Sequence, residues 1–291
     1  MVTIQPRGFD PSQKKKRADF ELQYKRDTTL SDVKLHHHDF YELYFLVTGD
    51  VTYTIEGRLV RVTPGDILLV SPRELHQLHI VTEREAYERY VLWIDRKYLK
   101  HLSTAGTDLT QCLDPGWEGY RNLLRTDPER QRGIYDMVAR LYEELHRDGY
   151  GGDIMPENLL TGLLVAINRL ALQGQTQDEE AARSSQMVSQ VVAYIGEHYR
   201  QNLSLADLSE HFYVNMYHLS HEFNRLVGTS VHRYIRKKRL LIARQLIAQG
   251  QKISQVWPEC GFGDYTSFFR AFKAEYGLSP RDYARAVRQN E

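Results

Sequence analysis

The feature that most constrains this chain is an internal duplication near its C-terminus. The segment HLSHEFNRLVGTS (218–230) lies over SFFRAFKAEYGLS (267–279), which sets Phe223 on Phe272 and Gly228 on Gly277. Each copy closes a larger pattern. In the first, Ser204 and Asp207 have capping-box spacing, with Asp in place of the usual Glu, and open a short helix over 205–211. Asn215 then caps a second helix that runs to Val227 and stops at Gly228. In the second, a short helix around 253–260 meets the Gly261-Phe262-Gly263 turn. Asp264 caps the next helix through Tyr276, and Gly277 ends it. A short helix, a tight turn and a longer helix make a helix-turn-helix unit. The spacing predicts two such units, joined by a long helix over 231–249 and preceded by an amphipathic helix over 188–198. One element resists the pattern. Pro258 has no amide proton and fits only a first helical turn, so the helix before Gly261 either begins near Gln255 or is distorted.

Residues 187–283 resemble the DNA-binding domain of the AraC/XylS family of bacterial regulators. The resemblance rests on Leu219, Phe223, Gly228, Tyr234, Arg239, Leu240, Ala243, Leu246, Ile253, Gly261-Phe262, Phe268, Phe272, Gly277 and Ser279-Pro280. The family prefers a small residue where Trp257 stands. The resemblance implies two recognition helices on one rigid monomer, entering successive major-groove segments about 34 Å apart on one face of B-DNA. On the first, the face opposite Leu219 and Phe223 presents Met216, Tyr217, Ser220, His221 and Asn224. By the resemblance, Tyr217, Ser220 and His221 stand where bases are read, and His221 takes a place where many members carry a firmer cation. On the second, the matching face offers Tyr265, Thr266, Phe269, Arg270 and Lys273. Arg270 is the expected base contact, because Arg pairs bidentately with guanine, and Lys273 the expected phosphate contact. Arg236, Lys237 and Lys238 read equally well as phosphate contacts or as a solvated helix face.

Charge supports this reading only through its distribution. Lys and Arg equal Asp and Glu at 38 each, but residues 187–291 hold 14 of the former against 9 of the latter, a net of +5. Residues 1–186 hold 24 against 29, a net of −5. The cationic footprint is confined to one part of the chain. No run approaches the roughly 18 apolar residues of a membrane helix, and the N-terminus lacks the apolar centre of a secretory signal. Cys112 and Cys260 are far apart in sequence. A cytoplasmic protein without a disulfide framework or membrane partner is expected.

Residues 1–18, including KKKR at 14–17, read as a flexible tail and 19–173 as a sensor and dimerisation domain. Residues 174–186 (GQTQDEEAARSSQ) read as a linker and 187–291 as the DNA-binding domain. Short apolar runs at 42–48, 51–55, 59–62, 67–70, 77–81 and 87–94, broken by turn residues, predict an antiparallel barrel. Helices follow over 134–147 and 156–173. The second is too apolar to face water on more than one side; packing on the barrel and a dimer interface both satisfy it.

His36-His37-His38, Glu42 and Gly49 have the H-x-H-x3-E-x6-G spacing of the first cupin motif, and HDFYEL resembles AraC-type sensor domains. The second motif is partial. Pro64-Gly65-Asp66 precedes SPRELH, which ends at His76, while Arg73 replaces its glycine and Ile80 its asparagine. The implied fold is multidomain α+β: a cupin-like antiparallel barrel with two C-terminal helices, then an all-α domain. His36, His38, Glu42 and His76 are expected to line an effector pocket. The same set would suit Zn, Ni, Mn or Fe(II), although no metal or other cofactor is expected. Tyr44, Tyr53 and Trp93 fit either pocket walls or core.

The expectation is a homodimeric, non-enzymatic transcription regulator that binds promoter or operator DNA and responds to a small molecule. Family precedent leans to activation of carbohydrate-related genes, hence to a sugar effector and contact with RNA polymerase. The alternative is a metal-dependent cupin enzyme with a helical appendage. It has an incomplete second motif and leaves the duplicated helix-turn-helix without a purpose.

Overall fold

The structure, a computed structural model, describes residues 19–27, 33–72, 74–80, 86–173 and 182–289. The basic run at 14–17, Arg73 and most of the expected linker lie outside the described residues. The chain divides into two compact units that meet in sequence between Arg183 and Ser184.

The first unit is built on β1 (Phe20–Asp27), β2 (Val33–His36), β3 (Tyr41–Thr48), β4 (Val51–Ile55), β5 (Arg58–Val62), β6 (Ile67–Val70), β7 (His76–Ile80), β8 (Tyr87–Ile94) and β9 (Leu123–Leu124). They form two sheets, ordered β1-β8-β3-β6-β9 and β2-β7-β4-β5. The central strand β3 (YELYFLVT) is buried on both faces through Leu46. Successive side chains of a strand point to opposite faces. Thus Tyr41, Leu43 and Phe45 join a core shared with helices, while Tyr44 and Leu46 join a second core with β4 and β7 residues. Glu42 has the parity of Tyr44, so a carboxyl group is carried into the space between the sheets.

The helical cover consists of α1 (Arg96–Leu102), α2 (Pro128–Glu144) and α3 (Met155–Leu172). α2 begins six residues before the expected start at Ile134. Its first turn, PERQRG, has no apolar periodicity, but Asp127 accepts from the amides of Glu129 and Arg130 and Pro128 opens the helix. α3 buries Leu160, Leu163, Leu164, Ile167 and Leu170 in the same core as β3 and β8 residues. Its apolar stripe therefore packs on the barrel.

The second unit runs α4 (Ala182–His198), α5 (Leu205–His211), α6 (Met216–Val227), α7 (Val231–Ala248), α8 (Ile253–Glu259), α9 (Tyr265–Tyr276) and α10 (Pro280–Gln289). α4 starts six residues before the expected 188, inside the stretch read as linker. The Ser204–Asp207 capping box is complete in both directions. α6 and α9 are capped by Asn215 and Asp264 and end on left-handed Gly228 and Gly277. Phe223 meets Tyr234 of α7 edge-on at 5.6 Å. Phe268 and Phe272 share a core with Leu240, Ala243, Ile247, Val256 and Cys260. The long helix α7 thus supplies apolar packing to both units of the repeat.

α8 begins at Ile253, in line with the expected span around 253–260, and Pro258 lies in its final turn, so of the two readings of Pro258 the start near Gln255 does not hold. Only the bond that Pro258 would have donated to the Ser254 carbonyl is lost. Cys260 N still reaches Val256 O (2.9 Å) and Phe262 N reaches Trp257 O (3.2 Å), closing the turn. Trp257 packs at the edge of the core.

Candidate functional sites: a polar cluster between the sheets and two recognition faces

Sheet pairing gathers the histidine motif. β2 pairs with β7 so that His36 lies opposite His76, and β3 places Glu42 opposite both Val70 and Trp93. The four expected residues are all buried: His36 at 6%, His38 at 4%, Glu42 at 5% and His76 at 0% exposure. The His36 and His76 rings lie 4.2 Å apart, and those of His38 and His76 4.9 Å. His38 Nδ1 donates to Phe40 O (2.8 Å) and His76 Nδ1 to Glu74 O (3.0 Å). A carbonyl can only accept, so each Nδ1 carries a proton. His38 Nε2 faces Glu42 Oε2 at 3.5 Å. His76 Nε2 is buried with no hydrogen-bond partner among the described residues.

Trp93 Nε1 donates to Glu42 Oε2 at 2.7 Å. Burial alone would lift the Glu42 carboxyl, but a hydrogen bond with His38 and interactions with all three histidines hold it well below the usual carboxylate range. His76 is pushed well below the ordinary imidazole value by burial and by its His36 and His38 neighbours. At neutral pH the cluster therefore holds an ionised carboxylate beside a neutral imidazole, a set dominated by acceptors.

Ligating atoms of His38, Glu42 and His76 lie within 4.8 Å of one another. Nδ1 anchored on a backbone carbonyl with Nε2 facing inward is how metal-binding histidines are held, so the residues fit a divalent cation. His36 stands beside this trio without being part of it. Tyr44, Tyr53 and Trp93 are buried in the core between the sheets. The Tyr44 hydroxyl donates to that of Tyr87, which holds Tyr44 in place.

The recognition faces are set by the buried faces behind them. Leu219 and Phe223 are fully buried in α6, which leaves Met216, Tyr217, His221 and Asn224 exposed and Ser220 half-buried. Phe268 and Phe272 do the same in α9, leaving Tyr265, Thr266, Arg270 and Lys273 exposed and Phe269 half-buried. Each face carries an exposed tyrosine, Tyr217 at 80% and Tyr265 at 45%. His221 Nδ1 lies 3.3 Å from Glu222, which is also held by Arg225.

Of the three basic residues read on α7, Lys237 pairs with Glu275 of α9 at 2.6 Å. Arg239, given by the resemblance alone, has a structural task. Its guanidinium donates to Tyr199 O (2.8 Å) and Gln201 O (2.7 Å), fixing the turn after α4.

A buried polar cluster inside a small β-domain, followed by paired helix-turn-helix units, defines a ligand-responsive DNA-binding regulator as a class. Residues 17–164, half of the chain, match the family described as AraC-like ligand binding domain, and residues 208–286 match the helix-turn-helix domain. The chain belongs to the AraC family of transcription regulators. It is similar to the HTH-type transcriptional activator RhaS of Salmonella heidelberg, at 26% identity over 255 residues, covering 85% of this chain and 86% of the relative. Among solved structures, ToxT of Vibrio cholerae with an unsaturated fatty acid bound aligns over 94% of this chain and 97% of its own, at 16% identity and a TM-score of 0.39. The C-terminal domain of AraT from Geobacillus stearothermophilus aligns over 36% of this chain and 88% of its own, at 28% identity and a TM-score of 0.35. No described helix is long and apolar enough to cross a membrane.

Proposed function

We propose that this regulator is a transcription activator, working in the cytoplasm as a homodimer, whose effector is a small carbohydrate held by His36, His38, Glu42 and His76. The observation that carries the effector class is the wholly buried His76 Nε2 beside the Glu42 carboxylate. A site of acceptors is completed by a ligand that brings donors, and a polyol brings several hydroxyl protons at little charge. An anion would meet Glu42 and be repelled. The activator reading draws on RhaS, which is named as one; contact with RNA polymerase follows from it. DNA would be read by Met216, Tyr217, Ser220, His221 and Asn224 on α6 and by Tyr265, Thr266, Phe269, Arg270 and Lys273 on α9, with Arg270 the leading base contact.

The test is a thermal-shift screen of monosaccharides and sugar alcohols on the full chain. A hit should raise the melting temperature of the wild type and fail with Glu42→Gln, which swaps an acceptor oxygen for a donor. A panel in which only carboxylates or lipids stabilise the protein overturns the carbohydrate reading.

The proximity of His38, Glu42 and His76 supports a second reading, in which these three hold a divalent metal. The ion would supply Lewis acidity toward an effector oxygen. Metal analysis of the purified protein separates the two readings, because stoichiometric metal that disappears in His76→Ala supports only the second.

A further inference from the structure

Outside both recognition faces, four cations converge on one groove of the C-terminal unit. Arg281, Arg285 and Arg288 are exposed on α10 at i, i+4 and i+7, and so share one face. Lys252 stands at the N-cap of α8. With Ser254 and Ala284 they line a groove of about 520 Å³, and no described carboxylate lines it. Arg281, Arg288 and Lys252 make no ion pair among the described residues, and Arg285 reaches only Asp282, at 4.0 Å.

The arginine face is not needed to hold α10 in place. The helix packs on the core of the second helix-turn-helix through Tyr283 and Ala284. Its start is fixed by Ser279, whose Oγ accepts from Asp282 N (3.1 Å) and donates to Asp282 Oδ2 (2.6 Å). Four like charges gathered on one concave surface repel one another unless an anion sits among them.

We infer that this groove grips the DNA phosphate backbone beside the second helix-turn-helix, extending the footprint without reading sequence. In this motif the first helix crosses the backbone while the second enters the major groove. Lys252 and Ser254 stand at the start of that first helix, α8. The groove is thus built on the element that meets phosphate. Guanidinium forks match phosphate oxygens bidentately, and several on one helix face can follow successive phosphates.

The experiment uses the full-length protein and a duplex of about 40 base pairs of arbitrary sequence, with affinity measured from about 50 to 200 mM salt. Each phosphate contact contributes about 0.9 to the slope of log K against log salt. The triple variant Arg281→Ala/Arg285→Ala/Arg288→Ala should flatten that slope by about 2 to 3 and weaken binding about tenfold or more at the low-salt end. The triple Lys replacement should keep most of the slope. Arg288→Glu, close to the end of the chain, should lower it by about 1 or more even if the triple Ala variant fails to fold. An unchanged slope in the folded variants overturns the inference. So does an unchanged slope with reduced transcription, which would assign the groove to an acidic protein surface. Failure of the wild type to bind arbitrary duplex at low salt also overturns it.

Discussion

Asn168 sits buried on α3, where its Nδ2 donates to Leu109 O (3.1 Å) and Leu164 O (2.9 Å) and its Oδ1 accepts from Cys112 N (3.0 Å). It ties the loop that precedes β9 to the helical cover, and nothing in the helical pattern of 156–173 distinguished it. Asn168→Ala should cost about 2–3 kcal/mol in urea unfolding, because it strands a buried amide and a carbonyl. A cost near that of a surface substitution would show that the loop rearranges. Arg270 makes the opposite prediction. It is exposed, so Arg270→Ala should leave the melting temperature unchanged while weakening specific DNA binding by about 1–3 kcal/mol. Equal operator affinity for both proteins would remove it from the base contacts. The histidine motif was legible residue by residue, since its spacing is local. That His36 faces His76 across β2 and β7 was not, because strand pairing joins positions far apart in sequence.

At the scale of elements, the caps and glycines decide where helices stop. Gly261 has φ +80°, and a Cβ there would lie 2.7 Å from Arg200 O and 2.8 Å from Tyr199 O. Backbone strain and a backbone clash combine, so Gly261→Ala should destabilise the C-terminal unit by about 2–4 kcal/mol in chemical denaturation. A loss well under 1 kcal/mol would show that the turn after α4 can yield. Asp264 caps α9 by accepting from Ser267 N (2.8 Å). That bond, with the Ser267 side chain, holds its carboxyl below the ordinary value. A group depressed in the folded state stabilises above its unfolded pKa, and the contribution is lost as pH falls through the folded one. Asp264→Asn should therefore be less stable than the wild type at neutral pH, with the gap closing as pH falls below about 4. Parallel profiles for both proteins would show that the carboxylate plays no such part.

At the scale of the molecule, the asymmetry of charge matches the division of labour. The net +5 of residues 187–291 accompanies the recognition helices and the arginine groove, and the net −5 of residues 1–186 accompanies the acceptor cluster. A ligand of the N-terminal unit present at a hundred times its dissociation constant should stabilise the folded protein by about 2.7 kcal/mol. The shift should be visible in the melting curve of the full chain and absent from that of Glu42→Gln. An equal shift in both would place the ligand away from the cluster.

By itself, the sequence determined the paired helix-turn-helix. Each cap, stop and apolar stripe is written within a dozen residues, and the second copy checks the first. It also determined six of the strands, through alternation and turns. Only the tertiary structure decided the rest. β1, α1 and α10 draw their stability from surfaces supplied by distant segments, and the start of α2 from a polar turn with no apolar signature. Trp257 and Pro258, awkward in isolation, are absorbed by a core edge and a final turn. The arginine groove exists only because α10 folds back beside α8. Local hydrogen bonding and periodicity are encoded within a few residues, whereas packing partners are chosen by the whole chain.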